Sequence, residues 1–225
     1  MEQEANRPQE FWDRLWSNDE EHDFWKQVAP EIVELIQSQS PEERPDVLDL
    51  GCGLGRNAMA FAEAGFRVTA TDLSPKAIAH LEKWAGKSGF EMRTRIGDFT
   101  EDVFPAESFD IVISVNVLYH GYREQCMQAF RNVREWLRPD GIFYFTFPTR
   151  EDGETDTELA PNTYQVDPGH MHYCADEEDL EAFLEGFHVL RRGRKDHHWE
   201  DHGVPKFSSR WQVLAEKTRD EGGEV

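Results

Sequence analysis

Asp49, Gly51, Gly53 and Gly55 alternate at the end of the apolar run "VLDLGCGLGRN" (47–57), and Asp72, Asp98 and Asn116 stand at the ends of three later runs. Glycines at that spacing let the backbone turn sharply from a strand into a helix and approach a ligand closely. A dinucleotide's pyrophosphate calls for GxGxxG, with a bare helix N-terminus and a third glycine for tight packing. Here the spacing is GxGxG, and Arg56 stands where that third glycine belongs. A carboxylate at Asp49 opposes a pyrophosphate but suits a ligand that carries an ammonium and a sulfonium. The choice therefore tilts to S-adenosylmethionine, while a tight turn holding no ligand remains the plain alternative for a GxGxG taken alone.

The later positions extend the pattern. Asp72 closes "RVTATD" at about the distance from the glycines where an acid accepts from ribose hydroxyls, or else charges the N-terminus of the helix that Ser74 caps. Asp98 and Phe99 close a third strand, where a carboxylate can accept from an adenine amino group while the ring packs on its face. "FDIVISVNVLYH" brings Asn116 and Val117 to the mouth of the same crevice. With Cys52, Asn57 and Leu73 beside them, these residues make up the expected cofactor set.

The elements that must position them follow from periodicity. Residues 9–39 read as two amphipathic helices, and "PEERP" as a linker. From Pro45 strands and helices alternate: "DVLDLGC", "RNAMAFAEAG", "RVTATDLS", "SPKAIAHLEKWAGKSG" capped by Ser74 with Pro75 at its first position, "FEMRTRIGD", "FDIVISVNVL", "REQCMQAFRNVREWLRPDG" and "GIFYFTFP". Alternation of this kind with apolar strands implies a parallel sheet covered by helices on both faces. Residues 150–172 carry few apolar side chains and read as a lid, a binding loop or disorder. "DEEDLEAFLEG" then reads as a helix, and "FHVLRRGRK" and "SSRWQVLAEK" as an antiparallel pair joined by a polar loop. The expected divisions are a helical cap (1–44), a cofactor core (45–149), a lid or acceptor segment (150–175), the helix and strand pair (176–219) and a mobile tail (220–225).

Together "VLDLGCGLGRNA", "VTATDLSPKAI", "IGDFTE", "FDIVISVNVLYH" and "LRPDGIFYFTFP" resemble the class I S-adenosylmethionine-dependent methyltransferases, particularly the small type 11/12 domains. The resemblance is specific over 45–149 and looser to about 217. It implies an α/β Rossmann-like fold with a seven-stranded, mostly parallel sheet of order 3-2-1-4-5-7-6, the seventh strand antiparallel. It also implies S-adenosylmethionine as cofactor, S-adenosylhomocysteine as product and a small-molecule acceptor. Asp49 and the glycines would carry the methionine end, Asp72 the ribose, Asp98 and Phe99 the adenine, and the Asn116 carbonyl the methionine amino group. The family fixes no catalytic residue after the fourth strand, so none is transferred.

Candidates for catalysis come instead from position. Methyl transfer from a sulfonium expels a neutral leaving group, so a base is needed only where the acceptor is protonated. His120, beside Tyr119 just past the fourth strand, is placed to face the methyl, with surface or helix-capping duty as the alternative. His170 and His172 lie on the segment expected to overhang the pocket, and Trp12 and Trp16 on the first helix would close it or simply dock the helix. His120 and His172 are the catalytic candidates; Trp12, Trp16, Tyr119, His120, His170 and His172 are the acceptor candidates. Nine histidines also raise a metal reading, in which His170 and His172, or His197, His198 and His202, gather an ion with Glu200 or Asp201. Their spacing matches no structural zinc pattern, so no metal ligand is assigned.

Composition narrows the setting. The net charge of -21 would repel a phosphate backbone, and the one basic cluster, "RRGRK", reads as a solvated strand end. An acidic, aromatic N-terminus and the lack of a long apolar stretch suggest neither export nor membrane spanning, so a cytoplasmic location is expected. Cys52, Cys126 and Cys174 are too widely spaced for a disulfide framework and should be free thiols. A dinucleotide oxidoreductase, or a cofactor-binding protein without methyl transfer, are the competing functions. Oligomeric state is not readable. Acidic residues number 45 against only seven lysines, a balance that suits a high-salt medium, where carboxylates stay hydrated and repulsion is screened. The melting temperature should therefore rise with KCl; a flat or falling curve would overturn the salt-adaptation reading.

Overall fold

Val47 and Leu48 face opposite sides of the first strand, and neither retains any exposure. A strand apolar on both faces belongs in the middle of a sheet. In the computed structural model, which describes residues 8–17, 27–40, 45–153, 157–201 and 204–219, β1 (Asp46–Leu50) lies between two parallel neighbours, β2 (Arg67–Asp72) and β4 (Phe109–Ser114). β3 (Arg93–Ile96) pairs beyond β2, and β5 (Leu137–Pro148) beyond β4, both parallel. The sheet ends in a long hairpin, β9 (Phe187–Asp201) and β10 (Val204–Lys217), with β10 antiparallel to β5. The order β3-β2-β1-β4-β5-β10-β9 is the expected 3-2-1-4-5-7-6, because three strands outside this sheet intervene before its sixth and seventh members.

The period-two alternation divides the core. Leu48, Val112, Phe143 and Phe145 face one layer with α5 (Arg123–Trp136) and α6 (Glu177–Phe183). Val47, Ile111, Ile113 and Tyr144 face the other, with α2 (Pro30–Ser38), α3 (Arg56–Glu63) and α4 (Pro75–Ser88). Ser74 caps α4 by accepting from the Lys76 and Ala77 amides, with Pro75 at the first position. α1 (Pro8–Leu15) lies across the ends of the strands: Ser74 donates its hydroxyl to Asp13, and Lys76 Nζ donates to Ser17 Oγ at 2.6 Å. The tail 220–225 and most of "PEERP" lie outside the described residues.

Two expectations change. Residues 150–172 are not without structure: β6 (Thr157–Ala160), β7 (Thr163–Asp167) and β8 (His170–Tyr173) form an antiparallel meander. Its reversals fall at Asn162 (φ 60°) and at Pro168–Gly169 (Gly169 φ 82°), turn chemistry that the polar composition masks. Tyr173 N donates to Tyr119 O at 2.8 Å, which ties the meander to the loop after β4. The second change is at 196–201 and 204–207, which are paired strand rather than polar loop, with pairing that runs out to Asp201 and Val204. Cross-strand packing holds it, His198 lying against Phe207 with ring centroids 4.7 Å apart.

The turn after β1 tolerates little change. Gly51 has φ 80°, and a methyl group there would fall 2.3 Å from a Val117 methyl. Gly51→Ala should therefore lower the melting temperature and abolish cofactor-site binding, and Val117→Ala in the same chain should recover part of the stability, since only the steric half of the penalty is relieved. No recovery in the double variant would show that backbone strain alone decides the position.

Candidate functional site

A cleft of about 1160 Å³ opens along the carboxyl ends of β1, β2, β3 and β4. It exceeds the ~300–1,000 Å³ that houses one drug-sized ligand, so cofactor and acceptor can share it. Its floor at one end is the glycine turn. Gly51 N and Cys52 N both donate to Thr71 O at 2.8 Å, and Gly53 N donates to Asp72 Oδ2 at 2.8 Å. Asp72 Oδ1 accepts from Ser74 N at 2.9 Å. Each Asp72 oxygen thus holds one backbone amide and keeps acceptor capacity for a hydroxyl pair. Burial pushes the Asp72 carboxyl upward against the pull of these amides.

Cys52, Gly53, Asn57, Leu73, Asp98, Phe99, Asn116 and Val117 all line the cleft as expected. Asp98 Oδ1 is held by Thr100 through its amide (2.8 Å) and hydroxyl (2.7 Å). Asn116 has φ 60°, a left-handed conformation that a non-glycine residue keeps only where its surroundings fix it. Here Thr146 does so: its hydroxyl accepts from Asn116 N at 2.8 Å and donates to Asn116 Oδ1 at 2.9 Å.

Two members of the expected cofactor set lie elsewhere among the described residues. Asp49 is buried behind the turn and accepts from the Ala58 amide at the start of α3, so its charge acts on the site through the backbone rather than across the cleft. Gly55 (φ 93°) makes room for α4, since a methyl there would fall 2.3 Å from a Leu81 methyl. It serves helix packing, the duty the third glycine has in dinucleotide folds.

A polar, nucleoside-like cofactor fits what remains. Asn57 Oδ1 and Thr71 Oγ1 line the cleft wall, both buried and without a protein partner. Gly53 lies beneath the Trp16 ring, 3.1 Å from where a Cβ would stand, so the backbone there meets an aromatic face directly.

The other end of the cleft is aromatic. α1 carries Phe11 stacked on His170 at 4.5 Å and Trp12 against His120 at 4.8 Å. Tyr119 meets His172 at 4.8 Å. His120 Nδ1 faces Met171 O at 3.2 Å and Nε2 faces Asn116 O at 3.0 Å, and a neutral ring can donate to only one of these carbonyls. Burial holds all three histidines below the usual range, His170 at about 4, with neighbouring histidines adding to the effect on His120 and His172. At neutral pH these are uncharged rings. Of the metal groupings expected from sequence, His170 and His172 come together and His120 joins them, the one cluster of at least three potential ligands among the described residues; His202 lies outside those residues.

The sequence pointed to the strand pair but not to its place in the cleft. His197 and Trp199 from β9, and Ser208 and Arg210 from β10, complete the cleft wall. Arg210 pairs with the buried Asp152 and lies over the Tyr119 ring at 5.3 Å. The spacing of two in each pair is a strand signal that the polar residues between them obscure.

A family model described as a methyltransferase domain matches residues 47–141. Over these residues the chain is similar to S-adenosylmethionine-dependent methyltransferases. Similar proteins include the cypemycin N-terminal methyltransferase of a Streptomyces species, 34% identical over 50% of this chain and 46% of that protein. The probable S-adenosyl-L-methionine-dependent methyltransferase TehB of Haemophilus influenzae is 32% identical over 64% of this chain and 55% of that one. The crystal structure of TehB from that organism superposes with a TM-score of 0.69 at 19% identity, over 94% of this chain and 68% of that chain. The chain spans about half the length of the curated relatives it matches.

The carboxyl of Asp49 is pushed up to about 7 by burial, from an unfolded value near 4. Between those values the folded state holds a proton that the unfolded state releases, so stability falls as pH rises through the window. Asp49→Asn keeps the acceptor for Ala58 and removes that penalty. It should melt higher than the native protein at pH 8, with a gap that closes toward pH 4; a gap independent of pH would mean that Asp49 is not the group responsible.

Proposed function

We propose that the protein transfers a methyl group from S-adenosylmethionine to a small-molecule acceptor. The observation that carries this is the shared cleft: a glycine turn locked to Asp72 at one end and an aromatic, histidine-lined chamber under α1 at the other. The cofactor supplies an activated methyl on a sulfonium. Asp72 and Asp98 would accept from its ribose and adenine, and the amide-rich turn would hold its amino-acid end. Trp12, Trp16 and Phe11 would exclude water and align the acceptor, which for an in-line displacement with a neutral leaving group is the larger part of the task. Neutral imidazoles at His120 and His172 can take a proton from an acceptor, though their depressed basicity suits them better to holding a hydrogen bond than to deprotonating an amine.

A small acceptor is supported by the enclosed chamber, and the net charge of -21 weighs against nucleic acid. We take the setting to be cytoplasmic, on the strength of three buried cysteines with no disulfide among the described residues. Among the described residues no helix is long and apolar enough to cross a membrane.

Calorimetry with S-adenosylhomocysteine should show one site. Asp72→Ala should weaken it by about 1.5–3 kcal/mol, the worth of hydrogen bonds to a charged partner. Absence of binding by the native protein would end the proposal, and unchanged affinity in the variant would move the ribose contact elsewhere. An acceptor panel with isotopically labelled methyl donor then identifies the product.

A further inference from the structure

We propose that His120, His170 and His172 form a three-imidazole site for a divalent transition ion of the Zn²⁺ class, with its remaining position open to the cleft for an anionic acceptor atom such as a thiolate or phenolate. The ion's part of this inference stands on the side chains alone. The acceptor's part rests on the methyl-transfer reading.

The three rings come from two separate segments, the loop after β4 and strand β8, yet their centroids make a nearly equilateral triangle with sides of 4.7, 4.9 and 5.1 Å. One nitrogen from each lies within 4.8 Å of the others. His170 Nε2 and His172 Nε2 are 3.0 Å apart. Around a tetrahedral ion with metal–nitrogen bonds of about 2.0–2.1 Å, ligand nitrogens stand about 3.3 Å apart, so this pair is already close to the coordinating separation. His120 brings a nitrogen to within 4.8 Å of both.

The carbonyls around His120 favour a cation as well. A neutral imidazole has one N–H, but both its nitrogens face carbonyl oxygens, at 3.0 and 3.2 Å. One of those contacts sets lone pair against lone pair. An ion drawing that nitrogen toward the cluster removes the conflict and leaves the other N–H on a backbone carbonyl, the outer-shell arrangement that orients metal-bound histidines. His170 Nδ1 is buried without a protein partner, so no protein acceptor dictates which of its nitrogens carries the proton.

The surroundings fit an open site. Phe11, Trp12 and Tyr119 pack against the rings and fix their planes, and all three histidines line the cleft. Three neutral nitrogen donors with one free position are the pattern of ions that bind a substrate rather than staple a fold. An acceptor thiol or phenol coordinating there would give its proton to solvent. Its lone pair would then form the bond to the methyl carbon while the carbon–sulfonium bond breaks and that electron pair returns to sulfur as a neutral thioether.

The test uses the full chain without a histidine tag, stripped with chelator, in the absence of cofactor. Titration with Co²⁺ should give the visible bands of a four-coordinate nitrogen site that saturate at one equivalent, and Zn²⁺ should bleach them. His170→Asn should weaken Co²⁺ binding at least tenfold, while His188→Asn, an exposed residue of β9, should bind as the native protein does. Pulsed electron paramagnetic resonance of the Cu²⁺-loaded native protein, which needs no variant, should count three imidazoles. No stoichiometric binding, fewer than three imidazoles, or equal losses in the two variants would overturn the site. S-adenosylhomocysteine affinity measured on the same stripped sample keeps the two readings separable: binding of the nucleoside without binding of Co²⁺ defeats the metal site alone.

Discussion

The constraint on which the rest depends is the pair of amides, Gly51 N and Cys52 N, that converge on the Thr71 carbonyl while Gly53 N reaches Asp72. These bonds fasten the end of β1 to the end of β2 and set the turn at positive φ, which glycine alone adopts without penalty. Val117 then closes over Gly51 and Leu81 over Gly55, so the turn is held from the fourth strand and from α4 at once. The cleft floor is therefore fixed both by backbone amides bonded to the end of β2 and by close packing of Val117 and Leu81. That rigidity is what a ligand of fixed shape requires.

Burying a carboxyl under such a turn has a physical cost, and the protein accepts it at Asp49, which accepts from the Ala58 amide. Its charge faces the N-terminus of α3, where a helix tolerates an anion best. Asp72, by contrast, divides its two oxygens between the amides of Gly53 and Ser74 and still touches the cleft. Two acidic residues that look alike in sequence thus divide into one that supports the floor and one that faces the ligand.

The chamber above the floor is built by segments outside the parallel part of the central sheet. α1 covers it from the N-terminal side, the β6–β8 meander supplies His170 and His172, and the β9–β10 hairpin brings Arg210 and His197 to its edge. Aromatic contacts and neutral rings dominate there, whereas backbone amides and carboxylates dominate at the other end. A single cleft therefore offers two chemically different halves, one for a polar nucleoside and one for a partner that prefers a dry, nitrogen-rich wall.

The sequence by itself determined the α/β alternation, which depends on local period, and its likeness to a known family implied the strand order. Glycine spacing, the ends of buried strands and position along the chain also marked many of the residues that line the cleft, among them Trp12, Trp16, His120, His170 and His172. Only the tertiary structure decided that Asp49 lies behind the turn, that Gly55 serves Leu81, that residues 157–173 are a meander, and that the hairpin reaches back over the cleft. Each of these rests on contact between segments distant in the chain, which no local pattern encodes. The convergence of His120 with His170 and His172 is of the same kind: a backbone bond from Tyr173 to Tyr119 brings β8 against the loop after β4, and the three rings meet because of it.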